Sequence, residues 1–200
     1  SESYVKWAKK EGYHPSTKKA HEIYELALNS IPTLDSNTPS TKMLVLEAVK
    51  TLSNIDKTSS MILSQMQALT KSLKEYEIVM TMPGVGEVLG PRIIAEIGDI
   101  RRYRNASALI AYAGIDAPPF QSGAYSAVRR NISKRGSPTL RMTGFQIMRM
   151  LKIINPIEDA AVYQFILKKE SEGKPKKVAK IAGLNKFLRI YYARVNALYT

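Results

Sequence analysis

The clearest pattern of apolar and polar positions in this chain runs from Ser40 to Met82. Apolar side chains recur there alternately three and four residues apart, with one polar member at Ser59. This spacing is the heptad pattern of a helix that packs along another helix. It predicts one long helix over residues 40–82, packed either against helices of its own chain or against a second chain in a coiled coil. The heptad positions are Val45, Ala48, Leu52, Ile55, Ser59, Ile62, Met66, Leu69, Leu73 and Tyr76.

Before this heptad segment, residues 1–39 predict a shorter helical segment. Ser16 or Thr17 can cap an amphipathic helix that runs to Leu28, because their hydroxyl groups accept hydrogen bonds from the first free backbone N–H groups. Pro32 then interrupts the helical pattern, since proline has no backbone N–H group. No residue pattern in this segment indicates a chemical function.

A glycine-rich turn, P-G-V-G, follows the heptad segment at residues 83–86. Proline ends the preceding helix, and Gly84 and Gly86 permit a tight turn before an apolar helix from Val88 to Ile97. The first backbone N–H groups of that helix have no partner within it and can bind a DNA phosphate. The pattern is typical of a helix-hairpin-helix element, with Gly84 and Gly86 as candidate phosphate-binding residues.

Further capping signals predict that residues 83–200 form a mainly α-helical domain. Capping residues and prolines at helix starts recur through this region. The apolar positions of the last helix, Val178 among them, are expected to pack against other helices. The expected helix starts are Asn105, Ser137-Pro138, Asn155-Pro156 and Lys174-Pro175.

Positive charge is concentrated in the second part of the chain. Residues 1–82 contain 10 Lys and Arg against 9 Asp and Glu, whereas residues 83–200 contain 20 against 8. The formal net charge of +13 therefore comes almost entirely from the second part, which favours a polyanionic partner such as a nucleic acid. Cysteine is absent, which excludes disulfides and cysteine metal sites.

The long connection between Gly114 and Gly136 contains the candidate chemistry, and a short β-hairpin is expected to stiffen it. Ser122 stands beside a glycine, and arginine and lysine residues crowd behind it with almost no acidic neighbour. A serine hydroxyl that attacks a phosphodiester needs cations to hold the phosphate and to stabilise the charge of the transition state. The candidate phosphate-binding cations are Arg129, Arg130, Lys134, Arg135 and Arg141.

A serine followed by glycine is also typical of a loop residue that hydrogen-bonds to its own turn. Ser126 and Ser133 have the same chemistry as Ser122, whereas Ser137 is better explained as a helix cap. The cations can equally form a solvated basic face. The residues alone therefore leave the identity of a nucleophile open.

Five motifs in a fixed order resemble the C-terminal transposase domain of the DEDD-type insertion-sequence transposases. These are relatives of the Piv DNA invertase and include the bridge-RNA-guided recombinases. The resemblance covers about residues 76–198, and the helices before it resemble the connecting coiled coil of the family. The motifs are P-G-V-G, E-I-G-D-I-R-R-Y-R-N-A-S-A-L-I-A-Y-A-G-I, Q-S-G, I-S-K-R-G-S-P-T-L-R and K-P-K-K-V-A-K-I-A-G-L-N-K-F-L-R.

The resemblance implies that Ser122 is the nucleophile of a DNA transposase or recombinase. In such enzymes this serine attacks a DNA phosphate and forms a transient phosphoserine link. The family carries a metal-binding D-E-D-D domain before the coiled coil, so no cofactor is expected in this chain and a divalent metal, magnesium, is expected on that domain. The chain is then expected to be part of a longer protein and inactive alone.

The resemblance also implies the domain organisation and the partners. Residues 1–39 would be an N-terminal helical segment, residues 40–82 a coiled-coil-like helix and residues 83–200 the basic transposase domain. DNA is the expected partner, together with a guide RNA, and the long helix is expected to form a homodimer or a higher oligomer. A location in the cytoplasm of a bacterial or archaeal cell is expected, with no membrane contact.

Two alternatives remain open from the sequence. The chain can be a helix-hairpin-helix module that binds DNA without any chemistry, in which case Ser122 has no catalytic function. It can also be a module whose basic half binds a structured guide RNA through phosphate and 2′-hydroxyl contacts. In all three interpretations the affinity for nucleic acid falls steeply with salt, because phosphate contacts release bound counterions.

Overall fold

A computed structural model of the chain describes residues 16–29, 38–117, 121–122, 125–126 and 131–200. The fold is mainly α, as the sequence predicts. The chain divides into two compact units, residues 1–57 and 58–200. The described elements are α1 (Thr17–Asn29), α2 (Pro39–Lys71), α3 (Tyr76–Met80), α4 (Leu89–Ile97), a 3-10 turn (Ile100–Arg102), α5 (Ala106–Tyr112), β1 (Gln121–Ser122), β2 (Tyr125–Ser126), α6 (Pro138–Ile154), α7 (Ala161–Ser171) and α8 (Lys176–Asn196).

Helix α1 lies within the first unit and begins where the sequence predicts. The hydroxyl of Ser16 accepts a hydrogen bond from the amide of Lys19 at 3.2 Å, which satisfies one free N–H group of the first turn. Helix α2 begins at Pro39, a residue that needs no hydrogen-bond partner for its nitrogen in the first turn of a helix. The apolar heptad side chains along α2, such as Leu52 and Ile55, are mostly exposed within the single chain.

The prediction of one continuous helix to Met82 is wrong, because α2 ends at Lys71. The hydroxyl of Thr70 bonds to the carbonyl oxygen of Met66 at 2.8 Å, and that of Ser72 bonds to the carbonyl oxygen of Leu69 at 2.7 Å. Such bonds compete with the helical ladder, and the backbone bonds that follow span three residues instead of four. The chain then turns into the short helix α3.

The core of the second unit forms where α8 packs against α5, α6 and α7, and where α4 packs against α6. Ile93 of α4, Ile147 of α6 and Leu184 of α8 are fully buried. Gly144 allows α6 and α8 to approach closely, because a Cβ atom there would lie 2.4 Å from the Leu184 side chain. This core fixes the ends of α4, α5 and α6, which surround the candidate site.

Most of the predicted helix starts are confirmed, and one is wrong. Asn105 caps α5 by accepting a hydrogen bond from the amide of Ala108 at 2.9 Å. Asn155 instead ends α6, in a left-handed conformation with φ of 51°. Asparagine tolerates this conformation, so it can close a helix as well as open one. Helix α7 consequently begins at Ala161 and not after Pro156.

A short two-stranded hairpin lies in the connection between α5 and α6. Strands β1 and β2 pair antiparallel, with Gln121 opposite Ser126 and Ser122 opposite Tyr125.

None of the described helices combines the length and the apolar character needed to cross a lipid bilayer. The domain boundaries at residues 39 and 82 stay predictions.

Candidate functional site

The hairpin that contains Ser122 lies between two chain segments that bond to each other. The amide of Ser133 donates a hydrogen bond to the carbonyl oxygen of Asp116 at 2.8 Å, and the amide of Lys134 donates to the carbonyl oxygen of Gly114 at 3.0 Å. The hydroxyl of Ser133 also donates to the carboxylate of Asp116. We call residues 112–116 and 133–137 the loop anchor, because they join the two ends of the Ser122 segment.

Two glycines make the close approach within the loop anchor feasible. Gly114 has φ of 64°, and a Cβ atom there would lie 2.2 Å from the carbonyl oxygen of Arg135. Gly136 has φ of 93°, and a Cβ atom there would lie 2.2 Å from the carbonyl oxygen of Tyr112. Any other residue would be strained by its backbone conformation and would collide with the opposite segment.

The loop anchor is attached to the helical core through the start of α6. The hydroxyl of Ser137 accepts from the amide of Leu140 at 3.0 Å and donates to the carboxylate of Glu96 on α4 at 2.9 Å. The Ser137 amide also donates to the carbonyl oxygen of Tyr112 at 2.7 Å. The predicted cap is therefore confirmed, and Ser137 additionally connects α4, α5 and α6.

The predicted cations differ in their surroundings. Lys134 and Arg135 are exposed residues of the loop anchor itself. Arg141 is partly buried, and its guanidinium donates to the carbonyl oxygen of Ala113 at 3.0 Å, so it also supports the end of α5. Arg129 and Arg130 lie outside the described residues, and phosphate binding by all five cations stays a prediction.

One arginine that the sequence did not single out lies beside this site. The guanidinium of Arg102 is 4.8 Å from the ring centres of both Tyr103 and Tyr112. A hydrogen bond to the Tyr103 hydroxyl raises the pKa of Arg102. These contacts place the Arg102 guanidinium next to Tyr112, the last residue of α5. Its neighbour Arg101 instead forms an ion pair with Asp99 at 2.8 Å.

The two glycines of the P-G-V-G turn have different environments. Gly84 is buried with φ of 85°, and a Cβ atom there would lie 2.8 Å from the carbonyl oxygen of Ile147. Gly86 is exposed, with no atom near its would-be Cβ position. The side-chain amide of Gln67 donates to the carbonyl oxygen of Glu87 at 3.0 Å and ties this turn to α2. Gly84 thus permits packing on α6, and phosphate binding by either glycine stays a prediction.

The described residues do not fit a metal centre. Within the ranges given above, no three His, Cys, Asp or Glu side chains lie together in a way that could hold a metal ion. Asp116 of the loop anchor accepts a hydrogen bond from the Ser133 hydroxyl, and Glu96 of α4 accepts one from the Ser137 hydroxyl. The magnesium expected on a preceding domain concerns residues outside this chain and stays a prediction.

Residues 76–164, which include α4, α5, α6 and the loop anchor, match a known family of transposases. The matching family is described as the Transposase IS116/IS110/IS902 family. This match extends from α3 into α7 and covers slightly less than half of the chain. The resemblance that the sequence motifs indicated is confirmed for this part of the chain.

Individual relatives agree with this family. The chain is 31% identical over 116 residues to a pilin gene-inverting protein of Moraxella bovis, a match that covers 58% of this chain and 35% of that protein. It is 31% identical over 77 residues to a transposase for insertion sequence element IS1111A of Coxiella burnetii, covering 38% of this chain and 21% of that protein. The chain thus spans about a third of the length of the Moraxella relative.

Proposed function

We propose that this chain is the strand-exchange part of a DNA transposase or recombinase, with Ser122 as its nucleophile. The observation that carries the proposal is the loop anchor. A transposase-family domain fixes both ends of the segment containing Ser122 and has exposed cations, Lys134 and Arg135, beside one of those ends. Fixed ends limit the positions that a nucleophile can occupy, which favours reaction with a bound phosphate.

The reaction exchanges one ester bond for another. The Ser122 oxygen forms a bond to the phosphorus of a DNA phosphodiester, and the bond from phosphorus to one sugar oxygen breaks. The serine proton passes to a general base, and the released sugar oxygen takes up a proton. A hydroxyl group of another DNA strand then attacks the phosphoserine, which releases the serine and joins the new strand.

The cations would bind the phosphate and stabilise the additional negative charge of the transition state. Lys134, Arg135 and Arg102 are the described candidates, because each is exposed and lies in or next to the loop anchor. Arginine is suited to this function, since its planar guanidinium can contact two phosphate oxygens at once. A guide RNA can use the same surface through its phosphates.

We further propose that α2 forms the oligomer of the active protein. Most of its heptad side chains are exposed large apolar groups, and their burial against a second α2 would stabilise a coiled coil. Two copies would bring two Ser122 nucleophiles to one exchange complex. Two nucleophiles in one complex suit a reaction that breaks and rejoins more than one strand.

A covalent trap tests the nucleophile. Complete protein would be incubated with nicked target DNA, and mass spectrometry would identify the peptide that carries a nucleotide adduct. Ser122→Ala is expected to abolish the adduct and to retain DNA binding. Ser126→Ala is the matched control, because Ser126 belongs to the same hairpin and is paired with Gln121. An adduct that persists in Ser122→Ala contradicts the proposal.

A further inference from the structure

An apolar groove of about 500 Å3 opens beside the two ends of the Ser122 segment. Ala117 lines it from the end that precedes the hairpin, and Ile132 lines it from the end that follows. Phe165 of α7 and Ala182 of α8 form part of its wall. The groove is separate from the hydrogen bonds that hold the loop anchor together. The proposed reaction gives this groove no function.

The rim of this groove carries positive charge. Lys186 and Arg189 of α8 line it, and no acidic side chain is among its described lining residues. The ammonium group of Lys186 lies 5.0 Å from the centre of the Phe165 ring. The guanidinium of Arg189 donates to the side-chain oxygen of Asn185 at 3.0 Å, which orients it along the helix. An aromatic and aliphatic surface is thus combined with two cations, and one of them, Lys186, lies over the aromatic ring.

We propose that this groove binds one unpaired nucleotide of the DNA strand that undergoes exchange. The base would take the place of the Lys186 ammonium group on the Phe165 ring and lie against the aliphatic wall, and its phosphate would contact Lys186 and Arg189. Bases stack on aromatic side chains whatever their sequence, whereas phosphates require cations, so a nucleotide needs both parts of this surface. The volume also lies within the range of about 300–1,000 Å3 that is common for ligand pockets.

The position of the groove agrees with this occupant. Strands that are exchanged must leave their original duplex, which exposes unpaired nucleotides next to the attacked phosphate. The groove borders Ala117 and Ile132, the residues on either side of the segment with the proposed nucleophile. A nucleotide held there would fix the strand beside the reaction. This inference rests on the proposed function.

The test compares two DNA probes with the full chain. One is a duplex with a single unpaired thymidine, and the other is the same duplex fully paired. The expected preference for the unpaired probe is about tenfold, as for one stacked base. Ala182→Phe fills the groove without changing charge and is expected to remove this preference while leaving affinity for the paired probe unchanged. Ala193→Phe, at an exposed position of the same helix, is expected to change neither affinity.

A second variant and a cross-linking experiment test the inference even if Ala182→Phe does not fold. Phe165→Leu keeps an apolar side chain but removes the aromatic ring, and it is expected to reduce the preference severalfold. Iodouracil at the unpaired position is expected to cross-link on irradiation to the peptide that contains Phe165. Thermal unfolding followed by circular dichroism would show whether each variant is folded.

Four other outcomes would overturn the inference. Equal affinity of the unmodified chain for both probes overturns the groove assignment and leaves the proposed function intact. Absence of binding to any DNA overturns both. Equal losses of DNA affinity in Ala182→Phe and Ala193→Phe would show that a large side chain anywhere on α8 weakens binding. This result would also overturn the inference. Tighter binding of an RNA duplex with the same unpaired nucleotide overturns the assignment to DNA.

Discussion

Ser133 and Asp116 are bonded to each other twice, although 17 positions separate them in the sequence. The Ser133 hydroxyl donates to the Asp116 carboxylate, and the Ser133 amide donates to the Asp116 carbonyl oxygen at 2.8 Å. The pair closes the segment that contains Ser122 at its base. A hydrogen bond to a charged group is stronger than one between neutral groups, so this contact helps to hold the two ends of the segment together.

Ser133→Ala is expected to weaken the loop anchor without removing the nucleophile. Loss of the hydrogen bond should lower the free energy of unfolding by about 1–2 kcal/mol, measured by urea denaturation. The yield of covalent DNA adduct should fall but not vanish, whereas affinity for duplex DNA should stay the same. Ser171→Ala is the control, because among the described residues the Ser171 hydroxyl donates to the carbonyl oxygen of Lys168 in its own helix, at 2.8 Å.

The same variant separates two candidate nucleophiles. Ser133 has a carboxylate within hydrogen-bond reach, which would also suit a serine activated by a general base. If Ser133 attacked the phosphate, Ser133→Ala would abolish the adduct and Ser122→Ala would spare it. That result would assign Asp116 as the base and would contradict the proposal for Ser122.

Local sequence signals predicted much of the fold correctly. Ser137 and Asn105 cap their helices because a short polar side chain can reach the first free N–H groups wherever a helix starts. Such signals depend on a few adjacent residues. They failed at Asn155, since one residue type can both open and close a helix, and at the end of α2, where side-chain hydroxyl groups compete with the backbone.

The contacts within the site depended on residues that are distant in sequence, so the pattern alone could not reveal them. Asp116 has no neighbour that marks it as the partner of Ser133. Gly114 and Gly136 could be recognised from the sequence as turn residues. The steric collision that each of them avoids is with the opposite segment of the loop anchor, and the sequence does not show that this segment is close. Val178 was expected to pack against other helices and instead is 50% exposed, where it lines the groove beside α7.

Gly84→Ala is expected to destabilise the second unit. The new Cβ atom would lie 2.8 Å from the carbonyl oxygen of Ile147, and alanine is strained at φ of 85°. We expect a loss of about 2–3 kcal/mol in the free energy of unfolding, measured by thermal denaturation. Gly86→Ala, with open space at the same atom, should change stability by less than about 0.5 kcal/mol.

This pair of variants also tests the helix-hairpin-helix interpretation. If the turn at residues 83–86 binds phosphate closely, Gly86→Ala should weaken DNA binding although the protein stays folded, because the added methyl group would stand between backbone and phosphate. Unchanged DNA affinity in Gly86→Ala would show that the turn serves packing alone.

Lys134→Gln and Arg135→Gln are expected to weaken binding to DNA of any sequence. Each lost phosphate contact should reduce the slope of log affinity against log salt by about one, between roughly 50 and 200 mM salt. Lys57→Gln removes one exposed cation from α2 and serves as the control for net charge. Equal effects of Lys57→Gln and Lys134→Gln would indicate a diffuse charge effect and would contradict a phosphate site beside the loop anchor.

Leu52→Glu combined with Ile55→Glu is expected to convert the protein from an oligomer to a monomer. These heptad side chains are 61% and 55% exposed in the single chain, and two buried carboxylates per helix would oppose a coiled coil. Sedimentation equilibrium should then give the mass of one 22.3 kDa chain, whereas the unmodified chain should give twice that mass or more. Ser53→Glu with Asn54→Glu adds the same charge at exposed positions off the heptad and should leave the mass unchanged. A monomeric unmodified chain would contradict the proposal that α2 forms an oligomer.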